Sequence, residues 1–114
     1  MTQISVTANR VMFPSNNGFY LVTLGTSPTN LLIANNSFVG SSGRGIQVYS
    51  SSSLADVRVL GNTVEDQFSN YAVELYSVSS MTSIDVSGNT FSGIYPSSRN
   101  HVVLVHSGSS MSTV

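Results

Sequence analysis

The chain has 114 residues but no cysteine and no lysine, and only 8% of its residues are charged. Without cysteine, the chain cannot form a disulfide framework or a thiolate metal site. Its only histidines are His101 and His106, which are too few for a multi-histidine metal site within one chain. We therefore expect neither a metal nor another cofactor.

Positive charge is scarce as well, since the basic residues are four arginines and the formal net charge is −1. A surface that follows nucleic-acid phosphates needs clustered positive charge, so we expect no nucleic-acid partner. No apolar run approaches the roughly 20 residues that cross a bilayer. The first residues also lack the charged start and apolar stretch of a signal peptide, so neither a membrane span nor a leader is predicted.

A short pattern recurs along the chain, in which apolar residues alternate up to an asparagine and one more apolar residue follows it. Its four copies begin at Ile4, Leu31, Val57 and Ile84. The intervals between them are 27, 26 and 27 residues, a period that indicates a solenoid. We expect one domain over residues 1–114, either a piece of a longer solenoid or a subunit of an assembly. Its coils are predicted at about residues 4–30, 31–56, 57–83 and 84–113.

Each repeat reads as three short strands, and in repeats two to four the last strand is followed by a serine-rich turn. Serine and asparagine are abundant, with 23 and 10 copies, and the serine runs fall at the same place in each repeat. The late strands alternate between two faces. The residues predicted to face inward are Phe19, Leu21, Ile46, Val48, Val73, Leu75, Val102 and Leu104. The residues predicted to face outward form two columns, Val22, Tyr49, Tyr76 and Val105, and Tyr20, Gln47, Glu74 and Val103.

Two kinds of solenoid fit this period. The run from Leu54 to Val64 also matches the leucine-rich-repeat template. In that architecture a helix commonly follows the asparagine, whereas the second half of each repeat here holds β-branched and aromatic residues with few helix formers. The sequence therefore favours an all-β fold, a parallel β-helix of about four coils with three short strands per coil.

The strands flanking Gly61-Asn62-Thr63 and Gly88-Asn89-Thr90 resemble those of the right-handed parallel β-helices of the pectate-lyase-like superfamily. Phage tailspike proteins and many polysaccharide lyases and hydrolases share that fold. The resemblance implies a right-handed solenoid, an extracellular or virion location and an internal ladder of corner asparagines. The matching positions are Asn9, Asn36, Asn62 and Asn89. The calcium-binding acidic cluster of pectate lyases is missing, so their activity is not implied.

Physical chemistry supports asparagine at such a corner. A sharp corner favours a left-handed backbone, which asparagine tolerates better than most residues, so we expect that conformation at the asparagines. Stacked amides about 4.8 Å apart can each donate to and accept from their neighbours, which satisfies a buried polar group.

The outward column of Val22, Tyr49, Tyr76 and Val105 is the predicted interface, because a continuous apolar strip along a solenoid indicates a covered surface. It can be packed by other subunits, in a homo-oligomer, with a trimer favoured, or among neighbouring virion subunits. It can also stack on the sugar rings of a polysaccharide. Valine at both ends offers no stacking face, which favours the subunit interface.

The turns before the late strands lengthen along the chain and form the second candidate surface. Their predicted ligand-binding residues, which suit an acidic or neutral glycan, are Arg44, Glu65, Asp66, Tyr95, Arg99 and His101. Glycoside hydrolysis needs two carboxylates roughly 5 to 9.5 Å apart, and the weak catalytic candidates are Glu65, Asp66 and Glu74. Asp85 is expected in register with Arg58 as an exposed pair.

The predicted function is a structural or recognition module of an extracellular or virion assembly, similar to a phage tailspike. One alternative is a polysaccharide-degrading enzyme, a glycoside hydrolase or lyase, with its site on the edge formed by the long loops. Another alternative is a virion decoration protein or adhesin that binds only protein. The sequence leans away from an enzyme for this chain alone.

Overall fold

The computed structural model describes residues 3–12, 18–25, 29–40, 43–67, 71–94 and 102–114. These ranges contain strands and turns and no helix. The strands are β1 (Ile4–Thr7), β2 (Arg10–Met12), β3 (Phe19–Thr23), β4 (Thr29–Ala34), β5 (Ser37–Val39), β6 (Ile46–Ser50), β7 (Leu54–Leu60), β8 (Thr63–Gln67), β9 (Val73–Ser77), β10 (Ser80–Ser87), β11 (Thr90–Ile94), β12 (Val103–Ser107) and β13 (Ser110–Ser112). The predicted all-β solenoid is confirmed, and the leucine-rich-repeat alternative is wrong.

Three parallel sheets run along the solenoid, and each takes every third strand of the chain. Sheet A contains β1, β4, β7, β10 and β13, sheet B contains β2, β5, β8 and β11, and sheet C contains β3, β6, β9 and β12. Equivalent residues of successive repeats are paired directly, as in Ile4 with Leu31, Leu31 with Val57, and Val57 with Ile84. The sequence period is therefore the register of the sheets.

The core lies between the three sheets and is completed in the middle repeats. Its fully buried side chains include Leu31, Ile33, Phe38, Ile46, Val48, Val57, Val59, Val64 and Leu75. The outer repeats contribute apolar residues that are only partly buried, which are Ile4, Val11, Phe19, Leu21, Val86, Phe91, Val103 and Val105. Burial of apolar area therefore stabilises the two middle repeats most.

The first corner of each repeat, between sheets A and B, contains the predicted asparagines. Asn36 and Asn62 are almost fully buried, and their amides hydrogen-bond to the asparagines of the neighbouring repeats. The expectation of a left-handed backbone at these asparagines is wrong. The residue before each one has the positive φ, namely Ala8 (55°), Asn35 (56°), Gly61 (62°) and Gly88 (63°). Because the preceding residue turns the chain, the asparagine side chain can enter the core.

The corner between sheets C and A contains a column of hydroxyl side chains. Ser50 and Ser77 are fully buried, and Ser107 continues the column in register. The single hydroxyl hydrogen of Ser77 is shared between the carbonyl oxygens of Ser52, at 2.7 Å from Oγ, and Ser80, at 3.1 Å. These bonds satisfy the buried hydroxyl and explain why serine recurs at this position.

The predicted orientation of the last late strand is wrong by one residue. β12 pairs His106 with Tyr76 and Leu104 with Glu74, while Val103 and Val105 pack against the core. A shift of one residue exchanges the two faces of a strand, and the apolar run from Val102 to Val105 gives alternation no means to choose between them. Val105 and Val103 therefore do not belong to the outward columns.

Candidate functional site

A column of stacked rings occupies the outer face of sheet C. The ring centroids of Tyr49 and Tyr76 are 5.3 Å apart with an interplanar angle of 9°. The next pair, Tyr76 and His106, has a centroid distance of 5.2 Å and an angle of 7°. Val22 is paired with Tyr49 in β3 and is 40% exposed. We call these four residues the aromatic column.

The ring spacing follows from the fold, because parallel strands about 4.8 Å apart place equivalent side chains above one another. Both faces of the Tyr76 ring are covered, one by Tyr49 and the other by His106. A sugar that stacks on an aromatic ring needs a free face, so Tyr76 is a poor stacking platform. The column is instead suited to contact through its ring edges.

Polar side chains line the neighbouring column of sheet C. The Nε2 atom of Gln47 donates to Oε2 of Glu74 at 2.7 Å, and Nε of Arg44 lies 2.7 Å from the same oxygen. The Arg44 guanidinium also lies over the ring of Tyr71, 5.8 Å from its centroid. Glu74 is therefore neutralised by an arginine from the preceding repeat. The remaining outward residues of this column are Tyr20, which is 56% exposed, and Leu104.

The predicted glycan-binding residues are only partly brought together in the described ranges. Arg44 contacts Glu74 on sheet C, whereas Glu65 lies in β8 of sheet B, in register with Val39 and Ser92. Asp66 follows in the same strand, and its side chain lies outside the described part of the structure. Tyr95, Arg99 and His101 also lie outside it. Binding of a glycan along this edge stays a prediction.

Two of the three candidate catalytic carboxylates, Glu74 and Glu65, have described side chains, and their surroundings differ. Glu74 is engaged by Arg44 and Gln47, and Glu65 is half-buried on sheet B. Asp85 is paired with Arg58 in the register of sheet A, as the sequence predicted, and both are exposed. In the described ranges, no three His, Asp or Glu side chains come together as a metal-ligand group. The same ranges contain no helix that is long and apolar enough to cross a membrane.

His106 is the member of the aromatic column that the sequence interpretation missed. The available signal was the serine turn, since the alignment of Ser77 with Ser107 places His106 beside Tyr76. His106 is also the first residue after four consecutive apolar ones. The column therefore carries three rings and a single valine, rather than two rings between two valines.

Comparisons with known proteins assign neither a family nor a function to the chain. No family model matches the chain, and searches of curated proteins and of solved structures found no match. A function for the chain is therefore inferred from the solenoid and its surfaces.

Proposed function

We propose that the chain is a structural and recognition module of an extracellular or virion assembly, with a role similar to that of a phage tailspike. In this proposal, other copies of the chain pack side by side against the outer face of sheet C and form a trimer. The observation that carries the proposal is the stacked aromatic column, in which Tyr49 and Tyr76 are half-buried and Val22 and His106 are exposed, all held on parallel strands.

The aromatic column has the properties of a packing surface. Aromatic side chains each bury about 150–250 Å² when covered, and tyrosine adds a hydroxyl that tolerates a wet rim. Stacking already restricts the rings of Tyr49 and Tyr76, so less rotamer entropy is lost when a partner covers them. Val22 extends the apolar surface at one end, where it is 40% exposed.

Charge on the same face favours association as well. Glu74 is paired with Arg44, so covering this face removes no uncompensated charge from water. A second solenoid that lies parallel to the first can contact the aromatic column along its whole length. Closed rotational symmetry is the usual arrangement of identical subunits, and it limits such an assembly to a defined number of copies.

The test compares molar mass in solution, measured by light scattering, for the wild type and Tyr49→Ser/Tyr76→Ser. We expect a trimer for the wild type and a monomer for the variant, with the β-rich circular dichroism spectrum retained. Arg58→Ser/Asp85→Ser is the matched control, because it changes two exposed side chains in register on sheet A and should remain trimeric. A monomeric wild type, or a variant that stays trimeric, would contradict the proposal.

A second candidate function is recognition of a polysaccharide, and the exposed ring of Tyr20 favours it. Tyr20 is paired with Gln47, whose amide contacts Glu74, so one exposed ring lies beside side chains that can hydrogen-bond sugar hydroxyls. We expect Tyr20→Ser to abolish glycan-array binding without changing the oligomeric state. Binding that survives Tyr20→Ser would remove the support for this function.

A further inference from the structure

The hydrogen bonds of the corner asparagines all run in one direction along the solenoid. In each step, the backbone N–H and the Nδ2 group of one asparagine donate to Oδ1 of the asparagine in the following repeat. Between Asn36 and Asn62 both distances are 3.0 Å, and between Asn62 and Asn89 they are 2.8 and 3.0 Å. Asn9 makes the same pair of bonds to Asn36, at 2.9 and 3.1 Å.

This direction leaves complementary groups on the two end layers. In repeat four, the half-buried Asn89 accepts at Oδ1, but its backbone N–H has no acceptor within the described residues. In repeat one, the Oδ1 atom of Asn9 receives no donor from the described part of the chain. Repeat four thus has a donor, Asn89, that lacks an acceptor within the described residues. Repeat one offers an acceptor, Oδ1 of Asn9, at the same position of the repeat.

A second set of bonds shows the same match. The Nδ2 groups of Asn36, Asn62 and Asn89 also donate to a carbonyl oxygen of the preceding repeat, at 2.8–2.9 Å. Those acceptors are Val6, Ile33 and Val59, and the next residue in this register is Val86. Asn9 donates instead to Thr7, two residues away in its own repeat. An asparagine placed above Asn89 would use the carbonyl of Val86.

Apolar side chains on the end layers correspond position by position. The sheet registers relate Val6 to Val86, Val11 to Phe91, Phe19 to Val103, and Leu21 to Val105. All eight side chains are only partly buried, whereas their equivalents in the two middle repeats are fully buried. Each layer would lose its apolar exposure if it met the other layer.

We propose that two copies of this chain bind head to tail, with repeat one of one copy on repeat four of the other. Asn89 then donates to Oδ1 of the second copy's Asn9, whose Nδ2 group donates to Val86. β11 pairs with β2 of the second copy, and β12 pairs with β3. β13 covers Ser80–Thr82 of β10, and the carbonyl oxygen of Thr113 accepts from the backbone N–H of Ile84. Asp85–Ser87 stay open to Ser5–Thr7 of the incoming β1.

The second copy is the favoured occupant because one chain carries both halves of the contact, with matching donors, acceptors and sheet spacing. Such a contact joins two different surfaces and does not close on itself, so it extends into a row of copies along the solenoid axis. It uses the end layers and not the outer face of sheet C, so it does not depend on the proposed function. The light-scattering test of the trimer is therefore read in an Asn89→Asp background, which weakens the end-to-end contact and leaves the outer face of sheet C unchanged.

The first test uses engineered disulfides, for which the chain has no competing cysteine. Met12 and Ser92 are exposed residues at one register position of sheet B, so the docked copies would place them side by side. Oxidised Met12→Cys/Ser92→Cys is expected to give a ladder of covalent dimers, trimers and larger species on a non-reducing gel. Met12→Cys/Asp85→Cys, with its second thiol on sheet A, should give only background cross-linking. Equal ladders for both pairs, or monomer alone for both, would overturn the proposal.

The second test uses the polarity of the asparagine bonds. In the Met12→Cys/Ser92→Cys background, Asn89→Asp replaces the docking Nδ2 donor with an oxygen that faces Oδ1 of Asn9, and should reduce the ladder at least tenfold. Asn9→Asp retains the acceptor for both N–H groups of Asn89 and loses only the bond to Val86, so it should reduce the ladder much less. Circular dichroism must show both variants folded. Equal losses in the two folded variants, or no loss in either, would contradict the predicted direction.

Discussion

Nε of Arg44 lies 2.7 Å from Oε2 of Glu74, which connects the turn before β6 to the outer face of β9 in the next repeat. The side chains are 28% and 13% exposed, so the pair is shielded from water more than an ordinary surface ion pair. Gln47 donates to the same carboxylate oxygen at 2.7 Å. Glu74 therefore joins two side chains of repeat two to repeat three.

We expect Glu74→Gln to lower the free energy of unfolding by about 1–2 kcal/mol, because it removes the carboxylate charge that lies against the shielded guanidinium of Arg44. Chemical denaturation in urea measures the change. Asp85→Asn is the matched control, since it removes an exposed carboxylate in register with Arg58 and should change the stability by less than about 0.5 kcal/mol. Equal effects of the two variants would show that the contact at Arg44 contributes no special stability.

Loss of one buried corner amide should be more damaging. Asn62→Ala removes the acceptor of two N–H groups of Asn36 and the Nδ2 donor to Asn89 and Ile33, while the backbone N–H of residue 62 still donates to Asn89. Each unsatisfied buried group costs about 1–3 kcal/mol, so we expect a loss of 3 kcal/mol or more. Thermal and urea unfolding measure it.

Asn35→Gly provides the control for this prediction, because Asn35 is exposed and has a φ of 56° at the same corner. Glycine already occupies the equivalent positions 61 and 88, so this variant should be neutral or up to about 1 kcal/mol more stable. A comparable loss of stability in both variants would mean that the corner depends on backbone shape and not on the amide bonds.

Val64 and Ala72 pack closely against Gly45, so we predict that a larger residue at this position destabilises the protein. A Cβ atom at this position would lie 2.6 Å from Cγ1 of Val64 and 2.7 Å from the carbonyl oxygen of Ala72. Gly45→Ala should therefore lower the free energy of unfolding by about 3 kcal/mol, the upper end of the cost of overpacking.

Gly25→Ala separates steric contact from backbone strain. Gly25 has a φ of 75°, and a Cβ atom there would meet nothing within 4 Å, so only the cost of the left-handed conformation, about 1 kcal/mol, is expected. Urea denaturation of both variants measures the difference. A smaller loss for Gly45→Ala than for Gly25→Ala would show that the contact at Val64 relaxes without cost.

The sequence predicted the architecture because three signals agree in repeats two, three and four. Alternating residues such as Val57 and Val59 face the core, an asparagine follows at a fixed distance, and a serine turn closes the repeat. The period then gives the register of sheet A directly, since parallel strands must pair equivalent positions. No single repeat carries enough information for this conclusion.

The prediction from sequence was wrong where a pattern fitted more than one structure. Four consecutive apolar residues precede His106, so both faces of β12 looked suitable for the core, and the assigned register was shifted by one residue. The left-handed residue of the first corner was also misplaced, because alanine and asparagine at positions 8 and 35 share this conformation with two glycines. The pairing of Arg44 with Glu74 depends on the path of a turn, which composition does not encode.

The register of the sheets also has a consequence for how the protein folds. Ile4 pairs with a residue 27 positions further along, as Val57 does, so no strand finds a partner in its own repeat. Each new coil therefore closes a chain loop of the same length, and the entropy lost in that step does not grow with the number of coils. Folding should begin in the two middle repeats and spread outward at a nearly constant rate per coil. A chain of many more repeats would meet the same barrier at every step.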